Sequence, residues 1–192
     1  GYIDLVREGR AADATRLTRK DNPFPTACAY ICEHPCEARC RRQMVDDAIN
    51  IRGLKRFAVD HAGKVPNPPK AKPTGKTVTV IGGGPAGLSC AYYLAEKGYR
   101  PTVFEREARP GGMLMNGIPS FRLEKDVVEA EIDILRELGV EFRCGVEVGK
   151  DVTIAQLREQ GYQGFYVAVG LQSGGKLNIP GGDADGVMAG ID

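Results

Sequence analysis

The stretch Thr77-Val-Thr-Val-Ile-Gly-Gly-Gly-Pro-Ala-Gly-Leu88 decides the fold of this 192-residue chain. It starts with a short β-branched run and continues into Gly82, Gly84 and Gly87, which have G-x-G-x-x-G spacing. The first glycine permits a sharp exit from a strand, the second lets a pyrophosphate approach the backbone, and the third lets a helix pack close to the sheet. Pro85 suits the first turn of that helix, because its missing N–H is not needed there. The stretch therefore predicts a strand–turn–helix unit that binds a dinucleotide.

An acidic residue lies where a second strand is expected to end. Glu105 closes the run Thr102–Glu105 and stands 18 residues after Gly87. A carboxylate at this point accepts hydrogen bonds from a ribose 2′-hydroxyl and repels a 2′-phosphate. The position therefore ranks FAD or NAD above NADP for this site. A glycine-rich turn without a ligand is the weaker interpretation, because the strand, the helix and the acid all fit the motif.

A second pair of glycines, Gly111 and Gly112, offers a longer cofactor another stretch of bare backbone. The spacing resembles the E-x5-G-G feature of flavoproteins with two dinucleotide-binding domains, which favours FAD over NAD. For Met113, Leu114 and Arg122, ordinary loop packing remains the alternative. The predicted cofactor-binding residues are Gly82, Gly84, Pro85, Ala86, Gly87, Glu105, Arg106, Gly112, Met113, Leu114 and Arg122.

Strands and helices alternate through the remainder of this region. Helices are predicted over residues 85–97 and 124–138, and a capping box at 153–156 begins a short third helix. Residues 141–148 are predicted as a strand or a hairpin. The apolar run Phe165–Gly170 is predicted as a strand covered on both faces. This alternation indicates a parallel α/β sheet of the Rossmann type.

The N-terminal region has a different character. Residues 1–62 show helical patterning, including one helix that Asn50 can cap. Residues 63–76 contain four prolines, which deny this stretch helical and central-strand hydrogen bonds, so it is predicted to run extended over the surface. We therefore expect a helical, cysteine-rich module of the iron–sulfur type over 1–62, a Pro-rich linker over 63–76, and an incomplete FAD-binding Rossmann-like domain over 77–192.

Four of the six cysteines, Cys28, Cys32, Cys36 and Cys40, have C-x3-C-x3-C-x3-C spacing, and Pro35 inside the segment predicts two short turns. In a reducing compartment such crowding points to a metal or cluster rather than to disulfides. Zinc sites usually show pairs of C-x2-C, whereas iron–sulfur clusters use four thiolates and tolerate varied loops. An iron–sulfur cluster is the leading interpretation, with zinc and free thiols as alternatives. The other two cysteines, at positions 90 and 144, are predicted to be small buried apolar residues.

Composition excludes some classes of partner. The formal net charge is +1, so no strong field attracts nucleic acid or a membrane surface. Apolar residues make up 42% and charged residues 27%, which is ordinary for a folded soluble protein. The sequence has no apolar run of about 20 residues, the length that a membrane span needs. The first residues lack the features of a signal peptide, so we expect a cytoplasmic protein.

The order of these features resembles the small (β) subunit of glutamate synthase and its relatives, which include the flavin end of dihydropyrimidine dehydrogenase and the large subunit of bifurcating ferredoxin:NADP oxidoreductases. The resemblance covers essentially the whole chain. It is carried by the fingerprint and by the phrases Asn22-Pro-Phe-Pro25, Cys32-Glu-His-Pro-Cys-Glu-Ala-Arg-Cys40, Ile51-Arg-Gly-Leu-Lys-Arg-Phe57, Gly111-Gly-Met-Leu-Met-Asn-Gly-Ile-Pro-Ser-Phe-Arg-Leu123 and Ile179-Pro-Gly181.

The resemblance implies further expectations. The family is longer, with more cysteines upstream and a second dinucleotide domain, for NAD(P)H, downstream. We therefore expect this chain to be a fragment that ends in the first half of the FAD domain. The family's two 4Fe–4S clusters draw ligands from both cysteine stretches, so one stretch cannot complete both. Lys55 stands where a relative has an amide or carboxylate ligand, and an ammonium group cannot ligate iron. The comparison makes Cys32, Cys36 and Cys40 firmer ligands than Cys28.

Three functions compete at this point. The leading hypothesis is an electron-transfer part of an NAD(P)H-dependent oxidoreductase with FAD and an iron–sulfur cluster, which a larger synthase or reductase subunit accompanies. The second is a non-catalytic docking or assembly module with an unfilled FAD site. The third is an NAD-dependent dehydrogenase, although both histidines lie before residue 62 and neither suits a catalytic role beside the fingerprint.

Overall fold

The computed structural model describes residues 1–172, 174–175 and 178–188 of the chain. Its N-terminal part is helical, as the sequence predicts. The helices are α1 (Tyr2–Arg7), α2 (Ala11–Arg19), α3 (Pro25–Ile31), α4 (Pro35–Ala38) and α5 (Ile51–His61), with a 3-10 turn at Arg41–Met44 between the last two.

The second part alternates strands and helices. Its elements in chain order are β1 (Thr77–Ile81), α6 (Pro85–Glu96), β2 (Arg100–Glu105), α7 (Met113–Asn116), α8 (Lys125–Glu137), β3 (Glu141–Cys144), α9 (Ile154–Glu159) and β4 (Gly164–Val167). No helix in the described part of the chain is long and apolar enough to cross a bilayer.

Two helices begin with the caps that the sequence predicts. The Asn50 side chain accepts a hydrogen bond from the Gly53 N–H at 2.9 Å, which satisfies a free donor at the start of α5. Thr153 and Gln156 cap each other's backbone N–H groups at the start of α9 and form the expected capping box. These caps depend on residues three positions apart, so local sequence determines them.

The four strands form one parallel sheet in the order β3-β2-β1-β4. At the carboxyl end, Ile81 of β1 lies opposite Phe104 of β2 on one side and Val167 of β4 on the other. The chain runs outward from β1 to β3 and then crosses to the opposite side of β1. This reversal opens a crevice outside the carboxyl ends of β1 and β4, where sheets of this type bind their ligands. The predicted parallel α/β class is confirmed.

Two strand predictions are confirmed in part. The strand predicted at residues 165–170 corresponds to β4. It is not covered on both faces, because Tyr166 is 42% and Val167 is 62% exposed. The reason is position: β4 is the sheet's edge within the described residues and pairs with β1 alone. The region 141–148 forms a single short strand, β3, and pairs in parallel with β2. After Cys144, the Gly145 and Val146 N–H groups donate to the Glu107 and Glu105 carbonyls at 3.0 Å each, and these residues form no hairpin with β3.

One hydrophobic core joins the helical N-terminal part to the sheet. Phe24 and Ala27, at the start of α3, lie in the same buried cluster as Leu88 of α6 and Ile132 of α8. Both of these N-terminal side chains are at most 5% exposed. The cysteine-bearing helices are therefore packed against the α/β part rather than tethered to it.

The Pro-rich stretch at residues 63–76 has no helix or strand, as predicted. Its backbone is nevertheless fixed to the α/β part, because the Ala71 N–H donates to the Glu96 carbonyl at 2.8 Å and the Thr74 N–H donates to the Gly98 carbonyl at 2.9 Å. The stretch lies along the ends of α6 and α8 and does not act as a free hinge.

Candidate functional site

A cavity of about 280 Å³ lies at the carboxyl edge of the sheet, in the crevice that the strand order opens. The ends of β1, β2 and β4 form its floor, and the first turn of α6 forms one wall. Its lining residues are Ile81, Gly82, Gly84, Pro85, Ala86, Phe104, Glu105, Arg106, Gly112, Met113, Val146, Glu147, Val148, Ala168, Val169, Gly170, Leu171 and Gln172.

Two glycines of the fingerprint are required by the protein itself. Gly82 has φ +103°, and a Cβ at this position would lie 2.3 Å from the Ala168 carbonyl oxygen. A Cβ on Gly87 would lie 1.9 Å from the Gly82 carbonyl oxygen. The first glycine therefore allows β1 to turn beneath β4, and the other allows α6 to pack against that turn. Both roles match those that the spacing predicts.

Gly84 differs from its two neighbours in the motif. Its backbone is extended, with φ −77° and ψ −178°, so any residue could adopt this conformation. A Cβ here would meet only the Gly112 Cα, at 3.9 Å, and the residue lines the cavity. Neither strain nor protein packing requires glycine at this position. What a side chain would occupy is the cavity beside the helix start, where the pyrophosphate of a dinucleotide would lie.

The first turn of α6 presents its free N–H groups at the same place. Pro85 occupies the first helical position, and no side chain in the described residues caps this helix. The unpaired amides of a helix start carry partial positive charge and bind anions. Pro85 and Ala86 both line the cavity, so this turn faces the space that Gly84 leaves open.

The carboxylate of Glu105 lies at the cavity and supports the glycine turn. The side chain is 6% exposed; Oε2 accepts the Gly83 N–H at 2.6 Å and Oε1 accepts the Glu107 N–H at 2.9 Å. Each oxygen of an ionised carboxylate has a second lone-pair direction, so two acceptor positions remain for a ligand. Backbone donors therefore hold the Glu105 carboxylate in place, and each of its oxygens can accept one more hydrogen bond from a ligand.

The second glycine pair packs directly on the first. The Gly111 N–H donates to the Gly83 carbonyl at 2.7 Å, and a Cβ on Gly112 would lie 2.8 Å from the Gly84 Cα. Gly112 also has φ +53° with ψ −129°, a conformation that suits glycine. The two loops thus form one backbone-lined wall, which continues into the exposed side chain of Met113.

Eight of the eleven predicted cofactor residues line the cavity, and three do not. Gly87 lies behind the turn, where it contacts Gly82. Leu114 is 8% exposed and belongs to the hydrophobic core. Arg122 is exposed and away from the cavity. Leu114 thus packs in the core and Arg122 lies at the surface outside the cavity lining, and their cofactor contacts stay predictions.

Sequence reasoning missed two segments of the cavity wall. Residues 146–148 follow β3, and residues 168–172 follow β4. The Arg106 guanidinium donates to the Gln172 side-chain oxygen at 2.6 Å and joins the β2 side of the cavity to the β4 side. The strand prediction itself could have indicated these segments, because the carboxyl ends of parallel strands meet at one edge of the sheet and the residues that follow them border the ligand site.

The cysteine segment divides at His34 and Pro35, as predicted. Cys28 lies within α3 and Cys32 ends that helix, while Cys36 lies in α4 and Cys40 precedes the 3-10 turn. All four thiols are free and at least partly exposed. Among the described residues, no three His, Cys, Asp or Glu side chains converge closely enough to hold a metal ion. The donor set nevertheless fits an iron–sulfur cluster, because accessible thiols are the ligands such clusters use and because metal binding and local folding are coupled.

Contacts around the segment separate Cys28 from the others. The Cys28 thiol lies 3.8 Å from the Asn22 side-chain oxygen, a partner within its own helix–turn region. Cys32 has a different environment: its sulfur accepts the His34 N–H at 3.3 Å, and its carbonyl accepts from Arg52 of α5 at 3.2 Å. Lys55, also on α5, stands over the Tyr2 ring at 5.6 Å.

Comparison with known families finds one match in each part of the chain. Residues 1–66 match the family described as "Dihydroprymidine dehydrogenase domain II, 4Fe-4S cluster", and residues 80–130 match the "NAD(P)-binding Rossmann-like domain". The glutamate synthase [NADPH] small chain of Mycobacterium tuberculosis is 40% identical over 189 residues, which cover 97% of this chain and 38% of that protein.

The chain is similar to glutamate synthase small chains along nearly its whole length. The same region is found in other oxidoreductase subunits. The NADP(+)-dependent formate dehydrogenase subunit beta of Moorella thermoacetica is 37% identical over 206 residues, or 95% of this chain and 29% of that subunit. The chain therefore spans well under half the length of the relatives it matches.

One solved structure resembles more than half of the chain. Mycobacterium tuberculosis FprA in complex with NADPH superposes with a TM-score of 0.50 at 26% identity, over 58% of this chain and 26% of FprA. The expected iron–sulfur and Rossmann-like fold class is thus confirmed by the family matches and by the observed parallel sheet.

Proposed function

We propose that this chain is the FAD- and iron–sulfur-binding electron-transfer part of an NAD(P)H-dependent oxidoreductase similar to the glutamate synthase small chain. The names of the relatives, which include NADPH-dependent enzymes, favour NADPH as the electron donor. We further propose that the functional division is a cysteine-rich module over 1–62, a linker over 63–76 and an FAD-binding domain over 77–192.

The observation that carries the proposal is the open space beside Gly84. Neither backbone strain nor neighbouring atoms require a glycine there, yet the residue faces a cavity bounded by a helix start and by the Glu105 carboxylate. A diphosphate next to a ribose matches this pairing of amide donors with an acid. Since Glu105 repels a 2′-phosphate, FAD or NAD suits the cavity better than NADP does.

When bound, FAD supplies the exchange between two-electron and one-electron transfer that separates NAD(P)H chemistry from cluster chemistry. The residues of this chain hold and shield it. Amides of the first turn of α6 bind the diphosphate, Glu105 binds a ribose, and Gly112 and Met113 bound the far side of the cavity. Cys32, Cys36 and Cys40 are the proposed thiolate ligands, with Cys28 as a fourth candidate.

We infer two features of the cellular setting from the same evidence. The relatives are subunits much longer than the matched region, which supports a complex with a larger synthase or reductase subunit. A cytoplasmic location agrees with the ordinary composition of the chain and with the reduced thiols that the cysteine segment needs.

Ligand binding tests the flavin part of the proposal. The protein, purified anaerobically and depleted of cofactor, is titrated by calorimetry with FAD, NADH and NADPH, and the visible spectrum is recorded after reconstitution. We expect FAD to bind most tightly and to give a flavin spectrum with protein-perturbed bands. Tighter binding of NADH than of FAD would instead support an NAD-dependent dehydrogenase, and absence of binding by all three would support a docking module.

Iron and sulfide analysis tests the cysteine part. After reconstitution with iron and sulfide, Cys36→Ser is expected to lose most of the bound iron, because it removes one thiolate from the proposed set. Cys28→Ser is expected to retain more iron, because that thiol already contacts Asn22. Cys90→Ser is the matched control, since this cysteine packs against the core of the α/β part. Equal iron content in all three variants would contradict the assignment.

A further inference from the structure

The helix that carries Cys28 begins without a cap of its own. The residue before α3 is Phe24, whose side chain cannot accept a hydrogen bond. The free N–H groups of Thr26 and Ala27 donate instead to the two carboxylate oxygens of Glu131, at 2.7 and 2.9 Å. Glu131 lies on α8, more than one hundred residues further along the chain. A side chain of the α/β part thus caps a helix of the cysteine-bearing part.

Glu131 is placed there at an energetic cost that packing alone does not explain. The residue is 3% exposed, and burial raises the pKa of its carboxyl, while the two backbone donors and the charge of Arg19 oppose that rise. Arg19 on α2 is itself 7% exposed, and its Nε and Nη1 have no hydrogen-bond partner among the described residues. An apolar residue at position 131 would avoid burying a charge. What the carboxylate adds is a directional contact with two N–H groups and a charge opposite to that of Arg19.

The cap lies where the two parts of the chain meet. Phe24, two residues before the first donor, and Ala27, the second donor, pack in one core with side chains on the same helix as Glu131, namely Val128, Ile132 and Leu135. These apolar contacts hold α3 against α8, but they permit sliding and rotation of one helix on the other. Two hydrogen bonds to a single carboxylate restrict both movements, because each oxygen has its own donor.

The position of α3 determines the position of the cysteine segment. Cys28 is one residue beyond Ala27, and Cys32 ends the helix. On the other side, α8 packs against α6, whose first turn bounds the cavity beside Gly84. The path from the capped helix to the cavity therefore runs through packed elements of the described structure.

We propose that Glu131 is a positioning residue for electron transfer, which holds the cysteine segment at a set distance and orientation from the flavin site by capping α3. The inference rests on the proposed function, because it requires FAD in the cavity and a cluster on the cysteines. The rate of electron transfer depends on the separation and relative orientation of the two redox groups, so movement of the cysteine segment changes that rate. Glu131 itself touches neither group.

The test compares Glu131→Gln with Glu129→Gln in the reconstituted protein. Glutamine keeps the shape but has one acceptor oxygen, so one of the two N–H groups loses its partner. Glu129 is two residues away on the same helix, with a side chain 37% exposed and paired with Arg136, and it serves as the matched control. The readouts are iron and FAD content, hydrogen exchange at Thr26 and Ala27, and the rate of electron transfer from reduced FAD to the cluster.

We expect Glu131→Gln to bind FAD and iron as the parent does, to lose exchange protection at Thr26 and Ala27, and to transfer electrons several-fold more slowly. Glu131→Asp, which keeps the charge on a shorter stem, should have an intermediate rate, and Glu129→Gln should behave as the parent. If Glu131→Gln does not fold, Glu131→Asp against the parent gives the same comparison.

The outcomes separate the two claims. A parent protein that binds neither FAD nor iron contradicts the proposed function, and with it this inference. A loaded parent whose Glu131 variants lose the protection at Thr26 and Ala27 but transfer electrons at the parental rate contradicts the positioning role alone. Unchanged protection at both amides in Glu131→Gln contradicts the capping role.

Discussion

At the scale of single residues, the three glycines of one motif have two different reasons to be glycine. Gly82 and Gly87 are constrained by the protein, since a Cβ would lie 2.3 and 1.9 Å from backbone oxygens. Gly84 is constrained only by what enters the cavity, because nothing but the Gly112 Cα lies within 4 Å of its Cβ position. Stability and binding should therefore respond separately to substitution within this motif.

Stability measurements should separate the two kinds of glycine. Gly87→Ala forces a methyl group against the Gly82 carbonyl and should cost about 1–3 kcal/mol of unfolding free energy, as overpacked sites do. Gly84→Ala should cost about 1 kcal/mol or less, the effect of a poorer N-cap residue. Urea denaturation followed by circular dichroism measures both. Equal losses in the two variants would show that Gly84 is also fixed by packing.

Tyr92 should make the protein sensitive to alkaline pH. Its side chain is 2% exposed, and burial raises the pKa of the phenol from 10.0 to about 12, with the charge of Arg19 opposing the rise. The folded state therefore favours the neutral phenol. This stability is fully present below pH 10 and is lost as the pH rises from 10 towards 12.

The Tyr92→Phe variant tests this effect. It cannot ionise at position 92, so its unfolding free energy should fall less steeply than that of the parent between pH 10 and 12. Denaturant titrations at a series of pH values give both slopes. Identical slopes in the two proteins would mean that Tyr92 does not contribute to the alkaline loss of stability.

At the scale of elements, α5 connects the first helices to the cysteine segment. It packs on α2 and α3, and the backbone N–H of Arg52 in its first turn donates to the Glu37 carboxylate of α4 at 2.7 Å. The Asn50 side chain caps the same helix start from within the chain's own turn, through the Gly53 N–H. The geometry of this helix start therefore affects how α4 is held.

Removal of the Asn50 cap should have a measurable cost. Asn50→Ala leaves the Gly53 N–H without its side-chain acceptor and should lower the unfolding free energy by about 1 kcal/mol, whereas Asn50→Asp should lower it by a few tenths at most. Thermal and urea denaturation of the three proteins provide the comparison. An alanine variant as stable as the aspartate variant would argue against the cap.

Elements whose signals are local were predictable from sequence. The caps at Asn50 and Thr153, the break at Pro35 and the glycine turn each depend on residues within a few positions of one another. The exposure of β4 was not predictable in the same way, because it depends on which strand lies next to it in space. An apolar run such as Phe165–Gly170 has the same pattern whether its neighbour is present or absent.

In the candidate site, too, the residues close together in sequence were predictable, and those brought together only by the fold were not. The turn, Glu105 and the Gly111–Gly112 pair follow from spacing within about 30 residues of chain. The walls at 146–148 and 168–172 come from strands that reach the same edge only after folding. The Glu131 cap on α3 joins residues more than one hundred positions apart, and no sequence pattern near Thr26 indicates it.

At the scale of the whole molecule, one core serves both parts of the chain. Phe24 is 5% exposed and lies in the same cluster as Val80 of β1 and Leu88 of α6. Helices that carry the cysteines and the sheet that forms the cavity should therefore unfold together. A shared core also gives the two proposed redox sites a fixed relative position.

A core substitution should reveal this coupling. Phe24→Ala should cost about 3–5 kcal/mol, as removal of a buried phenylalanine does, and should raise hydrogen exchange in β1 together with that in α3. Phe121→Ala is the matched control, because Phe121 is 87% exposed and should be nearly neutral. Faster exchange confined to residues 1–62 would show that the two parts unfold independently.

The measurement that tests the account most directly is the affinity of FAD for the parent protein, Gly84→Val and Gly164→Ala, determined by titration with flavin fluorescence. Valine at position 84 places a side chain in the cavity, whereas alanine at position 164 makes only an ordinary contact with Val78 in the sheet, away from it. We predict that Gly84→Val folds but binds FAD more weakly by on the order of 100-fold or more, which is about 2.7 kcal/mol, and that Gly164→Ala binds as the parent does. If Gly84→Val binds FAD with the parental affinity, the dinucleotide does not lie beside Gly84 and the proposed flavin site is wrong.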